Sequence, residues 1–222
     1  MFYFVRTPVW LQRLYGACTW EIPGEGKVIY LTFDDGPHPE VTRYVLDELN
    51  NYNAKATFFC LGKRVAEYPE LYQELLFNGH STGNHTFDHL NGWKTNDAEY
   101  LENISNAGKF IHSNLFRPPY GRIRRSQINK ISRLGLGENI HIGNDSPEQD
   151  RPVHIIMWTV LSGDFDMKLS EAACLENVIK NTTNGSIIVF HDSEKAYKKL
   201  QYTLPRVLEY FTGKGYSFEK II

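Results

Sequence analysis

Short apolar, β-branched runs alternate along this chain with longer stretches whose apolar residues recur every three or four positions. That alternation is the pattern of repeated β-α units built on parallel strands. Residues 27–33 form the first such run and end at Asp34-Asp35-Gly36-Pro37. Val41, Tyr44, Val45, Leu46 and Leu49 then share one face of a helix predicted over 40–50. The rhythm continues with a strand at 56–61, a helix at 68–78 stopped by Gly79, a helix at 97–114 and another at 126–134. Strand-like sequence resumes at 153–158, followed by a helix at 169–180, a buried strand at 186–190, a helix at 203–212 and a short strand at 216–218. Between 135 and 152 Gly, Asn, Asp and Pro predict a loop inside the domain.

With 222 residues, 41% of them hydrophobic, the chain is long enough for one α/β barrel domain. Residues 27–222 are expected to form it, with 1–26 as an N-terminal segment packing on the barrel. Twenty-four basic residues face 26 acidic ones and no basic run is present. Nothing therefore points to a polyanionic partner such as nucleic acid, none is expected, and a neutral or weakly charged substrate fits better. Cys18, Cys60 and Cys174 are odd in number and far apart, which predicts free thiols and a reducing compartment. Arg6 and Pro8 interrupt the first apolar residues, so no signal peptide is written there, and no run approaches the roughly 20 apolar residues of a membrane span. The expected location is cytoplasmic; oligomeric state is not legible.

In β-α barrels, chemistry gathers at the C-terminal ends of the strands. Asp34 and Asp35 sit at such an end as adjacent carboxylates, one able to bind a metal while the other faces a reacting water, although Asp-Asp-Gly-Pro also makes an ordinary turn. His85 and His89, four residues apart, can grip a single ion from one helical turn or tight loop. Two histidines and one carboxylate leave positions open for water and substrate, the composition of a catalytic site. His191, ending the strand at 186–190, is the histidine best placed to act as an acid.

Thr32-Phe33-Asp34-Asp35-Gly36-Pro37, Gly79-His80 through His85-Thr86-Phe87-Asp88-His89, Arg117-Pro118-Pro119-Tyr120-Gly121 and Ile188-Val189-Phe190-His191-Asp192 resemble, in that order, the motifs of the NodB-type polysaccharide deacetylases. The resemblance spans about 27–218. It implies a single-domain α/β fold, a distorted barrel of (β/α)7 type, and an enzyme that removes N-acetyl groups from an N-acetylglucosamine-containing glycan of chitooligosaccharide or peptidoglycan type. It further implies Asp34 as base, Asp35, His85 and His89 as ligands of one divalent ion, Zn²⁺ first and Co²⁺, Ni²⁺ or Mn²⁺ as alternatives, and His191 as acid. Arg117 would pair with Asp34 and Asp164 with His191, while the backbone N–H of Tyr120 would stabilise an oxyanion and Pro119, Val189 and Trp93 would touch substrate. The same site would also serve an O-acetyl sugar esterase or a small-molecule amidohydrolase.

Three positions depart from the family pattern. Leu161 stands for an aspartate and Phe165 for a tryptophan, leaving Asp164 alone to support the acid, and Val189 replaces a leucine. His80 and Asn84 read first as turn and packing residues, Trp158 as core, and Lys195, Tyr197, Lys198 and Lys199 as a solvated face near the cleft. His38 reads as a loop histidine, and His112, His141 and His154 carry no functional reading.

Overall fold

A computed structural model describes residues 3–132 and 152–222. All of 135–152 except Pro152, the end of the helix expected over 126–134, Phe2 and His141 lie outside them. In chain order the elements are α1 (Val9–Leu14), β1 (Val28–Asp34), α2 (Val41–Asn51), β2 (Ala56–Cys60), α3 (Gly62–Glu67), α4 (Pro69–Phe77), β3 (Ser81–Asn84), α5 (Asp97–Gly108) and β4 (Leu115–Phe116). A 3-10 turn at Pro119–Gly121 leads to α6 (Arg125–Ile131), β5 (His154–Ile155), β6 (Val160–Leu161), α7 (Glu171–Asn181), β7 (Ile187–His191), α8 (Glu194–Gly213) and β8 (Ser217–Phe218).

The strands form one curled parallel sheet in the order β5-β4-β3-β2-β1-β7-β6, with β8 added alongside β1. This is the single-domain, incompletely closed β-α barrel that the alternation and the resemblance predict. Ile29, Leu31 and Phe33 of β1 join the cluster that includes Val45 and Leu49 of α2 and Leu200 and Leu204 of α8. Tyr30 instead meets Phe59, Ile156 and Ile187 in a smaller cluster on the inner side. That inward and outward alternation is the two-residue period of a strand covered on both faces.

Several elements differ from the sequence expectation for identifiable reasons. Ser81-Thr82-Gly83-Asn84 carries no apolar run, yet it is β3: it pairs in parallel with β2, Gly83 opposite Phe59, and the Phe59 ring lies so close that a Cβ on Gly83 would stand 2.5 Å from it. The helix expected over 97–114 stops at Gly108; its start is secured by the Asn96 side chain accepting the Glu99 N–H. The strand expected over 153–158 shrinks to β5 because the carbonyls of Ile156 and Met157 are taken by the Arg117 guanidinium. Helix α8 starts nine residues before 203, since Ala196, Leu200, Leu204 and Leu208 form a buried row four residues apart that the surrounding lysines obscure. Lys199, read as solvated, is accordingly buried.

The open seam of the sheet lies between β5 and β6, and the N-terminal segment runs across it. Leu161 N–H donates to Val5 O at 2.8 Å and Thr7 N–H to Thr159 O at 2.9 Å on one edge. On the other, Thr19 N–H donates to Ile155 O at 2.8 Å and Met157 N–H to Thr19 O at 2.7 Å. Backbone groups that a bare strand edge would leave unpaired are thereby satisfied. Among the described residues, no helix is long and apolar enough to cross a membrane, and the three cysteines are free and buried.

His80 is structural: its Nδ1 accepts the Ala56 N–H at 3.2 Å, and its ring lies edge-on to Phe58. Burial first, then Lys55 and Lys220, holds this imidazole down at about 4 against an ordinary 6.5. Its contribution to stability is therefore fully present above about pH 6.5 and lost as pH falls through about 4. The melting temperature of the metal-free protein is expected to drop across that window, and His80→Asn to flatten part of the slope. An unchanged slope in the variant refutes the assignment.

Candidate active site

Register brings the polar strand ends together. Asp34 of β1 pairs directly with His191 of β7, and Asn84 of β3 with Phe116 of β4, so Asp35, His85 and Arg117 all emerge at the C-terminal rim of neighbouring strands. Arg117 is fully buried inside the curl. Its Nη1 donates to Asp34 Oδ1 at 2.8 Å and to Thr32 Oγ1 at 2.6 Å, Nε to Ile156 O at 3.1 Å and Nη2 to Met157 O at 3.1 Å. The ring of Phe59 lies 4.0 Å under the guanidinium. Asp34 is thus a nearly buried carboxylate with one oxygen fixed by a cation.

Asp35, His85 and His89 each turn one donor atom toward the others, all within 4.8 Å. Asp35 Oδ1 lies 3.2 Å from His89 Nε2 and 3.7 Å from His85 Nε2, and it is buried with no hydrogen-bond partner among the described residues. His85 Nδ1 donates to the Arg117 carbonyl at 2.8 Å, which leaves Nε2 as a bare lone pair facing Asp35. Burial keeps this imidazole neutral, down at about 4. Burial opposes the charge on Asp35, but His89, His191 and His85 hold its carboxyl well below the ordinary range. Ligands about 2.0–2.2 Å from a tetrahedral ion stand roughly 3.3–3.6 Å from one another. The donor set therefore fits a small divalent cation: an orphaned carboxylate oxygen and a neutral imidazole already turned toward one point.

The loops that carry these ligands are conformationally costly. Asp35 (φ 82), Thr86 (φ 67), His89 (φ 62) and Tyr120 (φ 61) all occupy the left-handed region, and of the described non-glycine residues only Asn53 shares it away from this site. The histidine pair thus belongs to a tight loop and not to a helical turn. Asn84 Oδ1 accepts the Thr86 N–H at 2.8 Å, and Asn103 Oδ1 accepts those of Phe87 and Asp88 at 2.8 and 3.0 Å. Under the aspartate loop, Asp192 accepts from Gly36 N–H at 3.0 Å and from Thr42 Oγ1 at 2.5 Å. A Cβ on Gly36 would lie 2.0 Å from the Asp192 carboxylate, so only glycine admits this clamp.

On the facing side, His191 Nδ1 lies 2.8 Å from Asp164 Oδ1, and its backbone N–H donates to Asp164 Oδ2 at 2.7 Å. Burial alone would discharge His191, but the Asp164 carboxylate lifts it to about 10. Phe165 packs edge-on against the His191 ring at 5.3 Å, and Tyr3 lies 5.3 Å beyond Phe165.

A cavity of about 610 Å³ joins Asp34, Asp35, His85, His89 and His191 to Val189, Tyr120 and Trp93. Trp93 is held by its Nε1–H donating to Ile123 O at 3.0 Å. Trp158 also lines the cavity, whereas Pro119 is buried and outside the lining. Three contributors escaped the sequence reading. Asn103 lies mid-helix and carries no sequence signal, Asp192 stands beside His191 with no signal of its own, and the far cavity wall comes from the N-terminal segment, signalled by six aromatic residues in the first 20.

The chain matches the family described as polysaccharide deacetylase over residues 21–138. It is 32% identical to a peptidoglycan-N-acetylglucosamine deacetylase of Bacillus cereus over 209 residues, covering 91% of this chain and 90% of that one. To a chitooligosaccharide deacetylase of Azorhizobium caulinodans it is 37% identical over 178 residues, 74% of this chain and 73% of the other. Among solved structures, the Bc1960 peptidoglycan N-acetylglucosamine deacetylase superposes with a TM-score of 0.81 at 27% identity, covering 97% of this chain and 95% of that one.

Asp192→Ala removes the acceptor shared by Gly36 and Thr42 and leaves two buried donors unpaired. A loss of about 1–3 kcal/mol in urea unfolding is expected; a loss within error refutes the clamp.

Proposed function

As the chain belongs to the polysaccharide deacetylase family, we propose that it hydrolyses N-acetyl groups of an N-acetylglucosamine-containing oligo- or polysaccharide, with Asp34 as base and His191 as acid. The observation that carries this reading is the in-register pairing of Asp34 with His191 across β1 and β7, beside the Asp35, His85 and His89 donor set in one cavity. When bound there, a divalent ion supplies Lewis-acid polarisation of the acyl carbonyl and lowers the pKa of water.

The chain's own residues do the rest. Asp34 Oδ1 is engaged by Arg117, so its other oxygen is the one left to take a proton from the attacking water. The guanidinium holds that carboxylate in place and aimed. As the carbonyl carbon becomes tetrahedral, the backbone N–H of Tyr120, on a turn held at φ 61, is the proposed donor to the new oxyanion. His191 then delivers a proton to the departing amine. Asp164 acts through it by fixing the ring and keeping the proton on at neutral pH. Val189 closes the wall beside the reacting acyl group, and Trp93 offers an aromatic face to a sugar ring.

Acetate release from N-acetyl and O-acetyl sugars measured side by side tests the bond specificity; release only from the O-acetyl set overturns the amide reading. Removing metal with a chelator is expected to abolish turnover, and added Zn²⁺ to restore it. Asp34→Asn keeps the shape that Arg117 grips and is expected to fold, with kcat/KM down about 10²–10⁴-fold. A folded variant with full activity removes Asp34 from the base role. The acid predicts that kcat/KM falls as pH rises through the His191 pKa. That limb should move downward by about one unit or more in Asp164→Asn, because a neutral amide no longer stabilises the imidazolium.

A further inference from the structure

The cavity extends well past the reaction centre, and its far wall is built by the N-terminal segment that closes the sheet seam. Tyr3, Phe4, Thr7, Leu11, Tyr15 and Trp20 line it, all of them ahead of the stretch that matches the family. Of the four that can hydrogen-bond, three have their donor hydrogens already engaged inside the protein. Tyr3 Oη donates to Asp166 at 3.3 Å, Thr7 Oγ1 to Trp158 O at 2.9 Å and Trp20 Nε1 to Tyr15 O at 3.2 Å. Opposite them stand Ile123, Met157, Trp158 and Phe165, while the charged side chains of the lining outside the reaction centre are Arg122 and Lys195.

A sugar ring can stack on a single aromatic face such as Trp93, but among Phe4, Leu11, Met157 and Trp158 it would surrender water from its hydroxyls for few donors in return, which disfavours it. An alkyl or aryl group loses nothing and gains by leaving water. We propose that this wall is a subsite for an apolar aglycone, so that the preferred substrate is an amphipathic glycoside whose N-acetylated sugar meets the reaction centre while its hydrophobic substituent lies against Leu11 and Phe4. The segment thereby has two tasks, satisfying the strand edges through its backbone and selecting substrate through its side chains. The substrate class rests on the deacetylase reading; the binding site itself does not.

The test compares methyl and octyl β-glycosides of N-acetylglucosamine, kept below micelle-forming concentration, with the Zn²⁺-loaded protein. It has two readouts, acetate release and tryptophan fluorescence, since Trp20, Trp93 and Trp158 all line the cavity. The octyl glycoside is expected to exceed the methyl glycoside in kcat/KM by about tenfold or more, through KM, and to change the fluorescence saturably. In Leu11→Gln and in Phe4→Ser the octyl-to-methyl ratio should collapse toward one, and the octyl titration should weaken in parallel. Equal kcat/KM for the two glycosides overturns the proposal. So does a ratio unchanged in both variants, or a gain with each added sugar unit and none from the octyl chain. Should neither glycoside release acetate, the deacetylase reading fails and fluorescence decides the subsite: saturable octyl binding weakened by Leu11→Gln sustains it, and no saturable binding overturns it.

Discussion

Arg117 puts a full positive charge inside the curl of the sheet, and each strand that carries a site residue is tied to it. Its side chain bonds to Thr32 and Asp34 on β1 and to the carbonyls that follow β5. Its backbone N–H donates to Asn84 O of β3, while its carbonyl accepts from His85. Thr32 passes the connection on to Ile188 of β7 through a 2.7 Å hydrogen bond. An unpaired charge in such a place would cost several kcal/mol, so the barrel interior needs Asp34 in position beside it. The flat guanidinium, with donors spread around its edge, meets four acceptors at once where a lysine ammonium could not match the geometry. Structure and proposed base thus share one interaction.

Around that fixed centre, the ligand loops hold backbone conformations that would not persist alone. Asp35, Thr86 and His89 each pay about 1–3 kcal/mol for positive φ. Asparagine and aspartate side chains, acting as backbone acceptors, offset the strain: Asn84 and Asn103 for the histidine loop, Asp192 for the aspartate loop. The result is a donor set held close together, with the His85 tautomer fixed by the Arg117 carbonyl, which is what preorganisation of a metal site requires.

An incompletely closed barrel has two free edges, and here one segment covers both. Because backbone pairing fixes residues 5–7 and 19 against the strands, the side chains between them fall over the mouth of the cavity. Tyr3 reaches Phe165, and Phe165 reaches His191, so the seam and the proposed acid are joined by a continuous row of aromatic contacts. Phe165, where the family pattern has a tryptophan, is the middle of that row.

Much was legible in the residues alone. Alternating runs gave away the parallel sheet, because strands buried on both faces must be continuously apolar and the helices between them must be amphipathic. Asp34, Asp35, His85, His89 and His191 could be named because metal and acid-base chemistry needs those residue types near strand ends, whereas Arg117 is named only through the family resemblance. What the sequence could not disclose depended on distant partners. The strand at Ser81–Asn84 is held by pairing with β2 and β4, and Gly83 leaves the room that the Phe59 ring occupies. The start of α8 lies hidden among lysines whose stems cover an apolar row, and Asn103 finds its backbone donors only when α5 meets the histidine loop. The N-terminal segment is the clearest case: its aromatic content could be counted from the sequence, but only closure of the sheet decided which edge each residue pairs with, and so which side chains face the cavity.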